Sequence, residues 1–350
     1  MSQLFLLCNN IPAGKDSLVF TVSRHTQLSD RRTNGTHTKT GAVMFSSNKK
    51  SSFKAPASDL TGRHIIVTGC GFNSLGYETA RQLLNWGADV TVTTRNNANA
   101  IVGALQQDTA ADYQGRIHGN NLDLTQEQSI QQFIDWYTAQ KKPLHVLINN
   151  AGIHLDLLSK FKEPKLSPAG LELQWHTNYI GTTQLTMGLL PLLLDSAQAS
   201  QHSRVVNVSS QLHNKGDNAE FFNPTRAYNS WEAYGQSKLA LIHFTQELHR
   251  RYHGQNLSAY SLHPGAVATN IGNVGLQNSP ILLALKKLLS PIEKMTLKSL
   301  SEGAQTQVFC ATSADAESGC YYQNGRTRPL SDTANDTDVA RRLWKQEIDA

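Results

Sequence analysis

Short apolar runs alternate along most of the chain with stretches that carry apolar residues at helical spacing. His64–Thr68 is a β-branched run that predicts a buried strand, and Tyr77–Trp86 predicts the helix that follows it. Leu144–Ile148 and Arg204–Val208 are mostly apolar, as expected for strands that are covered on both faces. The pattern therefore predicts an α/β fold, a doubly wound parallel sheet formed as one domain by residues 59–345.

A glycine-rich turn joins the first predicted strand to its helix. A strand, a glycine turn and a helix start in this order form a binding site for pyrophosphate, because backbone N–H groups and the helix dipole face the anion. An ordinary tight turn between strand and helix is the alternative interpretation. The residues of this turn predicted to contact a dinucleotide are Gly69, Gly71, Asn73, Ser74, Leu75 and Gly76.

The next predicted strand, Asp89–Arg95, ends where a dinucleotide would place its adenosine ribose. An Asp or Glu at this end would hydrogen-bond the ribose 2′-hydroxyl and repel a 2′-phosphate. Thr94 and Arg95 stand there instead, and the guanidinium of Arg95 can pair with a phosphate. We therefore expect NADP(H) to be favoured over NAD(H), with a merely solvated arginine as the alternative.

Tyr234 and Lys238 are four residues apart, so on a helix their polar ends lie on one face and can converge. A free phenol titrates near pH 10, and a neighbouring cation lowers its pKa by favouring the phenolate. Such a pair supplies a proton donor or acceptor near neutral pH. The spacing is common by chance, so its neighbours decide the interpretation.

Six elements in this order resemble the short-chain dehydrogenase/reductase superfamily over about Leu60–Trp344, and within it the branch similar to retinol dehydrogenases and the WW-domain oxidoreductase. Besides the glycine turn and the Tyr-x-x-x-Lys pair, the elements are Asn149–Gly152, His176–Gly181, Arg204–Ser210 and His263–Gly265. The resemblance implies a Rossmann fold and hydride transfer between a nicotinamide and a carbonyl or alcohol. It also implies cofactor contacts from Asp123, Leu124, Asn150, Ala151, Gly152, Tyr234, Lys238, Pro264, Gly265, Val267 and Thr269.

The resemblance further implies catalytic roles for four residues. Tyr234 would give the proton to the nascent alkoxide, or accept it in the oxidative direction, and Ser210 would hydrogen-bond the substrate oxygen. Lys238 would add positive charge beside the phenol and bind the ribose hydroxyls, while Asn178 would hold a water in a proton relay behind Lys238. Each of three residues also has a purely structural alternative. Ser210 would be a hydroxyl at the end of a strand, Lys238 a solvated charge, and Asn178 a helix residue bonded to the backbone.

The glycine turn departs from the family pattern Thr-Gly-x-x-x-Gly-x-Gly. From Gly69 to Gly76 it is one residue longer, and it has no glycine at the middle position. We expect Ser74 to take part of that role by donating its hydroxyl to a phosphate, while Gly71 absorbs the extra residue. The departure supports an alternative function, a catalytically weak NADP(H)-binding regulatory or scaffold protein. An epimerase or dehydratase is a third class, but the chain after Tyr234 leaves little room for its added domain.

Two segments are candidates for the substrate site. The stretch 211–233 contains several aromatic residues between Ser210 and Tyr234, and long loops beside a catalytic centre are usually functional. In residues 276–300, apolar and basic positions recur at helical spacing. This pattern favours an amphipathic helix that forms a lid over the substrate pocket; a helix on a membrane surface is the alternative. We expect a small apolar carbonyl or alcohol substrate. His154 and His213 are expected to be structural or to line the substrate, and no metal-ligand spacing appears, so no metal is expected.

The positive charge of the chain is concentrated at its amino end. The formal net charge is +5 over 350 residues; residues 1–58 hold eight Lys or Arg and two Asp, and the remaining 24 basic and 25 acidic residues net −1. A nearly neutral catalytic domain argues against nucleic-acid binding. Residues 1–58 are rich in Ser and Thr and are typical of a loosely ordered basic extension. A transit peptide, or a natural start at Met44, are the alternatives.

Location and assembly are predicted from simpler features. Four cysteines without paired spacing favour a reducing compartment, and we expect a cytoplasmic protein, with organellar import by the extension as the alternative. No apolar stretch of 18 residues occurs, so no membrane span is expected, while peripheral membrane contact stays open. Residues 346–350 are expected to form a tail. The resemblance alone implies a homo-oligomer, paired through the helices that carry Asn178 and Tyr234.

Overall fold

The computed structural model describes residues 53–109, 116–155, 161–200, 202–267 and 297–349. These residues belong to one compact unit that starts at Phe53, six residues before the domain start expected at 59. The ring of Phe53 lies 5.6 Å from that of Phe309, and the backbone N–H of Ala55 donates to Gln305 Oε1 at 2.9 Å. Thr269 and nearly all of the predicted lid, 276–296, lie outside the described residues.

Among the described residues, eight strands form one sheet in the order β3-β2-β1-β4-β5-β6-β7-β8. All neighbouring strands are parallel except the antiparallel pair β7–β8. The order reverses between β1 and β4, and at such a switch point the loops diverge and leave a crevice outside the carboxyl ends of the strands. The predicted doubly wound parallel sheet is confirmed. The strands are β1 (His64–Val67), β2 (Asp89–Thr94), β3 (Ile117–Asn121), β4 (Val146–Asn149), β5 (Ser203–Val208), β6 (Leu257–His263), β7 (Tyr321–Gln323) and β8 (Arg326–Arg328).

Helices cover both faces of this sheet. In chain order they are α1 (Leu75–Asn85), α2 (Ala98–Asp108), α3 (Glu127–Ala139), α4 (Leu173–Trp175), a π-helical turn (His176–Ile180), α5 (Gly181–Ser200), α6 (Ser230–Tyr252), α7 (Leu300–Thr312) and α8 (Thr337–Glu347). Short 3₁₀ turns occupy Gln211–Lys215, Ala219–Phe221, His253–Gln255 and Thr333–Asn335. Among the described residues, none of the helices has the length and apolar character needed to cross a membrane.

The alternation of side chains along β1 shows how the two faces are built. Ile65 and Val67 pack into the core that contains α1, α2 and α7, whereas Ile66 packs into the core that contains α3, α5, α6 and α8. Because successive strand residues point to opposite faces, an apolar run is buried throughout only when both faces are covered. The continuous apolar runs of the sequence follow directly from this arrangement.

Two features hold α6 against the carboxyl end of β5. The side chain of Asn229 caps the helix by accepting from the backbone N–H groups of Trp231 and Glu232, which fixes its start one turn before Tyr234. At Gly235 a Cβ atom would lie 2.5 Å from the carbonyl oxygen of Leu212, so glycine lets the helix touch the 3₁₀ turn that follows β5. The carboxyl end of the sheet and the first turns of α6 are therefore brought together.

Candidate active site

Ser210, Tyr234 and Lys238 meet where β5 ends. Lys238 Nζ lies 5.7 Å from the centre of the Tyr234 ring and donates a hydrogen bond to the carbonyl oxygen of Val208 at 2.9 Å. Ser210 is buried and its hydroxyl hydrogen-bonds the Tyr234 phenol. The one-turn spacing of tyrosine and lysine on α6 thus places both polar ends beside the same serine.

Burial controls the pKa of both titratable groups of this cluster. Tyr234 is half-buried as a residue, and burial of its phenol raises the pKa of Tyr234 to about 12 against the opposing hydrogen bond from Ser210. Burial lowers the pKa of the Lys238 amine to about 7. The sequence suggests that Lys238 lowers the pKa of Tyr234. In the protein alone, burial of the phenol raises that pKa instead, and burial also disfavours the charged amine that would lower it.

The structure separates the roles of two adjacent serines. Ser209 Oγ donates to the carbonyl oxygen of Lys238 at 2.8 Å, so it ties β5 to α6 from the buried side. Ser210 Oγ caps the following 3₁₀ turn by accepting from the N–H of Leu212 at 3.2 Å, and it faces Tyr234. The second serine is therefore the one that faces Tyr234, and its catalytic role stays a prediction.

Asn178 lies in the π-helical turn, fully buried, and its side chain makes three hydrogen bonds. Its Oδ1 accepts from the N–H of Ile153 at 2.8 Å, and its Nδ2 donates to the carbonyl oxygen of Ile153 and to Ser237 Oγ, each at 3.0 Å. Asn178 thus links the segment after β4 to α6. A Cβ atom at Gly152 would lie 3.0 Å from Lys238 Nζ and 3.3 Å from Asn178 Oδ1, so both side chains converge on this glycine. A relay water at Asn178 stays a prediction.

The glycine turn packs tightly at two of its glycines. Gly69 has φ +72°, and a Cβ there would lie 2.7 Å from the Cα of Ala151; at Gly76 it would lie 2.5 Å from Asn150 Nδ2. A Cβ at Gly71 would meet nothing within 4 Å among the described residues. Gly69 and Gly76 therefore let the turn lie directly against the segment after β4, while the backbone at Gly71 stays open, an arrangement that fits the pyrophosphate of a dinucleotide.

Ser74 has a different local role from the one we expect from the sequence. Its hydroxyl accepts from the N–H of Tyr77 at 3.1 Å as the N-cap of α1, and it donates to the carbonyl oxygen of Gly69 at 3.3 Å. The longer turn brings this serine to the cap position, with Asn73 before it in a left-handed conformation of φ 54°. The hydroxyl proton is thus used inside the turn.

A buried network of polar side chains connects the glycine turn with the segment after β4 and with α7. Thr68 Oγ1 accepts from the N–H groups of Asn150 and Ala151 at 3.1 and 3.0 Å. Gln307 Nε2 of α7 donates to Asn150 Oδ1 at 3.1 Å, and Gln307 Oε1 accepts from Thr79 of α1 at 3.2 Å. Sequence reasoning misses Thr68 and Gln307. The position of Thr68 before the first glycine is a usable signal, whereas nothing in the sequence connects Gln307 with a turn more than 150 residues away.

The predicted adenosine end is formed after β2 and β3. Arg95 is exposed, and its charge acts on Asp123. Burial opposes ionisation of Asp123, but hydrogen bonds from Thr125 and Gln126 and the charge of Arg95 outweigh it, so the pKa of Asp123 is lowered. Leu124 is buried, and its carbonyl oxygen would lie 1.9 Å from a Cβ at Gly181, where α5 begins. Arg95 and Asp123 therefore lie at one end of the crevice.

The predicted nicotinamide end follows β6 and contains a lysine that sequence reasoning misses. Lys298 Nζ donates to the carbonyl oxygen of Pro264 at 3.4 Å, and its side chain would lie 2.9 Å from a Cβ at Gly265, which has φ +98°. Val267 pairs with Lys298 in a parallel bridge and packs on Gly303 of α7. The turn after β6 is thus held by the chain that leads into α7.

Part of the aromatic stretch 211–233 faces away from the catalytic cluster. Phe221 packs against the rings of Trp175 and His243, at 5.8 Å from each. His213 lies beside Ser210, with Nδ1 2.7 Å from the carbonyl oxygen of that serine, and Trp231 packs near Tyr234 through His154. The stretch therefore contributes both to the core and to the wall of the site.

The doubly wound sheet has the glycine turn at its switch point and a Ser-Tyr-Lys cluster at its carboxyl edge. This combination is typical of oxidoreductases of the dinucleotide-binding class. The sequence profile of the short chain dehydrogenase family matches residues 63–278. The chain therefore belongs to the short-chain dehydrogenase/reductase family, in its retinol-dehydrogenase-like branch.

The relatives and solved structures similar to this chain agree with that assignment. The chain is 35% identical over 290 residues to retinol dehydrogenase 12 of Mus musculus, covering 81% of this chain and 85% of that protein. It is 35% identical over 298 residues to retinol dehydrogenase 14 of Homo sapiens, covering 81% and 84%. An uncharacterised protein of Mycobacterium paratuberculosis superposes with a TM-score of 0.60 at 30% identity, covering 84% of this chain and 97% of that one. The NADH-dependent reductase A1-R′ complexed with NAD, 20% identical with a TM-score of 0.55 over 75% and 95%, shares the fold.

Proposed function

We propose that the protein is an NADP(H)-dependent oxidoreductase that interconverts a carbonyl and an alcohol on a small apolar substrate. One observation carries the proposal: the Ser210 hydroxyl, the Tyr234 phenol and the Lys238 amine converge at the end of β5, and a Cβ at Gly152 would lie 3.0 Å from Lys238 Nζ. The bound nicotinamide would supply or accept the hydride. Similarity to proteins named retinol dehydrogenase supports an apolar alcohol or aldehyde as the substrate.

Residues of the chain would bind the carbonyl oxygen of the substrate and supply its proton. Ser210 donates a hydrogen bond to the substrate oxygen, and Tyr234 delivers the proton as negative charge develops there. With its pKa raised to about 12 by burial, the phenol carries its proton at neutral pH, as a donor to a developing alkoxide must.

Lys238 contributes charge that depends on its surroundings. With a pKa lowered to about 7 by burial, the amine is only partly protonated at neutral pH. Phosphate groups of a dinucleotide would favour its charged form, since an opposite charge stabilises the ion. The oxidative direction needs this positive charge, because it lowers the pKa of the phenol that must accept a proton.

Arg95 supports the preference for NADP(H). It is exposed at the end of β2, where its guanidinium can pair with a 2′-phosphate. The carboxylate near it, Asp123, accepts hydrogen bonds from Thr125 and Gln126. Arg95→Ala is expected to lower kcat/KM with NADPH roughly tenfold or more, as for loss of a charge-assisted pair. The same variant should leave kcat/KM with NADH unchanged. Equal losses with both cofactors would contradict this assignment.

The experiment that tests the function is a screen for NADPH oxidation. Aliphatic aldehydes, retinal and steroid ketones are offered to the wild type and to Ser210→Ala. We expect turnover of at least one apolar carbonyl, and a loss of about 10²–10³ in kcat for Ser210→Ala, the effect of removing one donor to a developing oxyanion. A variant as active as the wild type would contradict the role of Ser210.

A cofactor-binding regulatory protein is the second candidate. The observation in its favour is the longer glycine turn, in which the Ser74 hydroxyl is engaged as a helix cap. This candidate predicts that the purified protein binds NADPH tightly and oxidises it with none of the carbonyls. Turnover that disappears in Ser210→Ala would exclude it.

Location and assembly belong to the same proposal. We infer a cytoplasmic protein and a homo-oligomer that pairs through α5 and α6. The last helix, α8, packs on α6, where the rings of Trp344 and Phe244 lie 5.5 Å apart, so a partner at this face would also contact α8. Mass measurement by light scattering would test pairing, and a monomer at micromolar concentration would contradict it.

A further inference from the structure

The ring of His154 lies flat on the ring of Tyr234. Their centres are 4.5 Å apart with an angle of 20° between the planes, and Trp231 meets His154 edge-on at 4.8 Å and 90°. His154 is buried, with 4% of its surface exposed. We infer that His154 is a positioning residue for the proposed reaction, which holds the Tyr234 ring in place and with it the position of the phenol oxygen.

The backbone on both sides of His154 is held by buried amide side chains. Asn178 binds both the N–H and the carbonyl of Ile153, at 2.8 and 3.0 Å. Gln174 Oε1 accepts from the N–H of Leu155 at 3.2 Å, and Gln174 has no exposed surface. The imidazole is therefore attached to a segment that has little freedom to shift.

The same two amides also hold α6, which carries the tyrosine. Gln174 Nε2 donates to the carbonyl oxygen of Ser230 at 3.1 Å, in the first turn of the helix. Asn178 Nδ2 donates to Ser237 Oγ, which in turn donates to the carbonyl oxygen of Tyr234 at 2.7 Å. Asn178 and Gln174 therefore each link the segment that carries His154 to the helix that carries Tyr234. These links hold the two rings at their stacking distance.

A fixed ring matters because the phenol must serve two partners at once. It hydrogen-bonds Ser210 in this structure and must also reach the substrate oxygen within about 3 Å. Without a flat neighbour on one face the ring can swing about its Cα–Cβ bond and carry the phenol oxygen with it, and a misplacement of about 1 Å at a reacting group can cost on the order of a hundredfold in rate. Stacking also keeps water away from that face of the phenol.

The inference rests on the proposed function, and it is tested with His154→Ala and His154→Phe in the full chain. His154→Ala removes the stacked ring and is expected to lower kcat about tenfold to a hundredfold. The Kd for NADPH and the KM for the carbonyl are expected to stay within about threefold of the wild type, which also shows that the fold is intact. His154→Phe restores a flat ring and should recover most of kcat.

A second readout does not depend on turnover. The phenolate titration of Tyr234, taken as the absorbance difference between each protein and its counterpart with Tyr234→Phe, should move to lower pH in His154→Ala, because water reaches the phenol. It should return toward the wild-type curve in His154→Phe. Wild-type kcat together with an unmoved titration in His154→Ala would overturn the positioning role, as would a His154→Phe variant as slow as His154→Ala. A wild type that turns over no carbonyl would instead refute the proposed function.

Discussion

Replacing Lys238 with methionine is expected to stabilise the cofactor-free protein relative to the wild type at low pH, and less so as the pH rises. The amine is 3% exposed, and burial lowers its pKa to about 7 from an ordinary value of 10.5. Between these two pH values the unfolded chain holds the proton more strongly than the folded chain, so the stability of the wild type increases with pH there. Below pH 7 the full cost of the buried charge is present.

The size of the effect follows from that difference. Each pH unit by which a pKa moves corresponds to roughly 1.4 kcal/mol, so the charge costs on the order of 5 kcal/mol at pH 6 and about 2 kcal/mol at pH 9. Methionine has a similar length and carries no charge. The lost hydrogen bond to Val208 is a nearly constant offset, since it is absent at every pH. The stability difference between Lys238→Met and the wild type should therefore shrink by roughly 3 kcal/mol from pH 6 to pH 9.

Urea unfolding followed by circular dichroism measures this difference, with both proteins free of cofactor at each pH. Lys345→Met removes an exposed lysine on α8 and serves as the matched control. Its unfolding free energy should follow the wild type across the whole range. If Lys238→Met and the wild type run parallel from pH 6 to pH 9, the reasoning about the buried amine is refuted.

Three further predictions concern the frame around the site. Trp344→Ala removes a buried ring that stacks on Phe244, and it should lower the free energy of unfolding by about 3–5 kcal/mol in urea; a loss below about 1 kcal/mol would contradict the packing of α8 on α6. Gly76→Ala places a methyl group 2.5 Å from Asn150 Nδ2 and should weaken NADPH binding roughly tenfold or more by titration, whereas Gly103→Ala on α2, where a Cβ would meet nothing within 4 Å among the described residues, should bind within about twofold of the wild type. Equal effects at both glycines would contradict the close packing of the glycine turn on Asn150. Acid should destabilise the fold between pH 6.5 and pH 4 by at least a few kcal/mol, because unfolding lets buried neutral imidazoles take up protons; an unfolding free energy that is flat over this range would contradict it. The histidines whose pKa burial lowers to about 4 are His145, His202, His243 and His263.

Local signals in the sequence predict the scaffold well. The run His64–Thr68 corresponds to β1, and the apolar stretch Arg204–Val208 lies within β5, because continuous burial in a parallel sheet demands such runs. The Tyr234–Lys238 spacing predicts their convergence, since one helical turn dictates it. These features depend on neighbours in the chain.

The polar frame of the site depends instead on contacts between distant segments. Gln174 and Gln307 read as ordinary helix residues, and only the packing of α4 on α6 and of α7 on α1 turns them into buried links. The pKa values are equally hidden, because they follow from burial of Tyr234 and Lys238 and not from their spacing. The extra residue of the glycine turn is visible in the sequence, but its use of Ser74 as a cap is not.

Transfer of deuterium tests the central proposal, Tyr234-assisted hydride transfer, most directly. NADPH that carries deuterium at both C4 positions of the nicotinamide is incubated with the wild type or with Tyr234→Phe and a carbonyl substrate such as retinal, and the alcohol product is analysed by mass spectrometry. We predict deuterium on the carbinol carbon with the wild type, and a transfer rate lower by about 10²–10⁴ with Tyr234→Phe while NADPH binding is retained, the usual contribution of a positioned acid. Alcohol product without deuterium, or Tyr234→Phe that transfers it at the wild-type rate, would contradict the proposal.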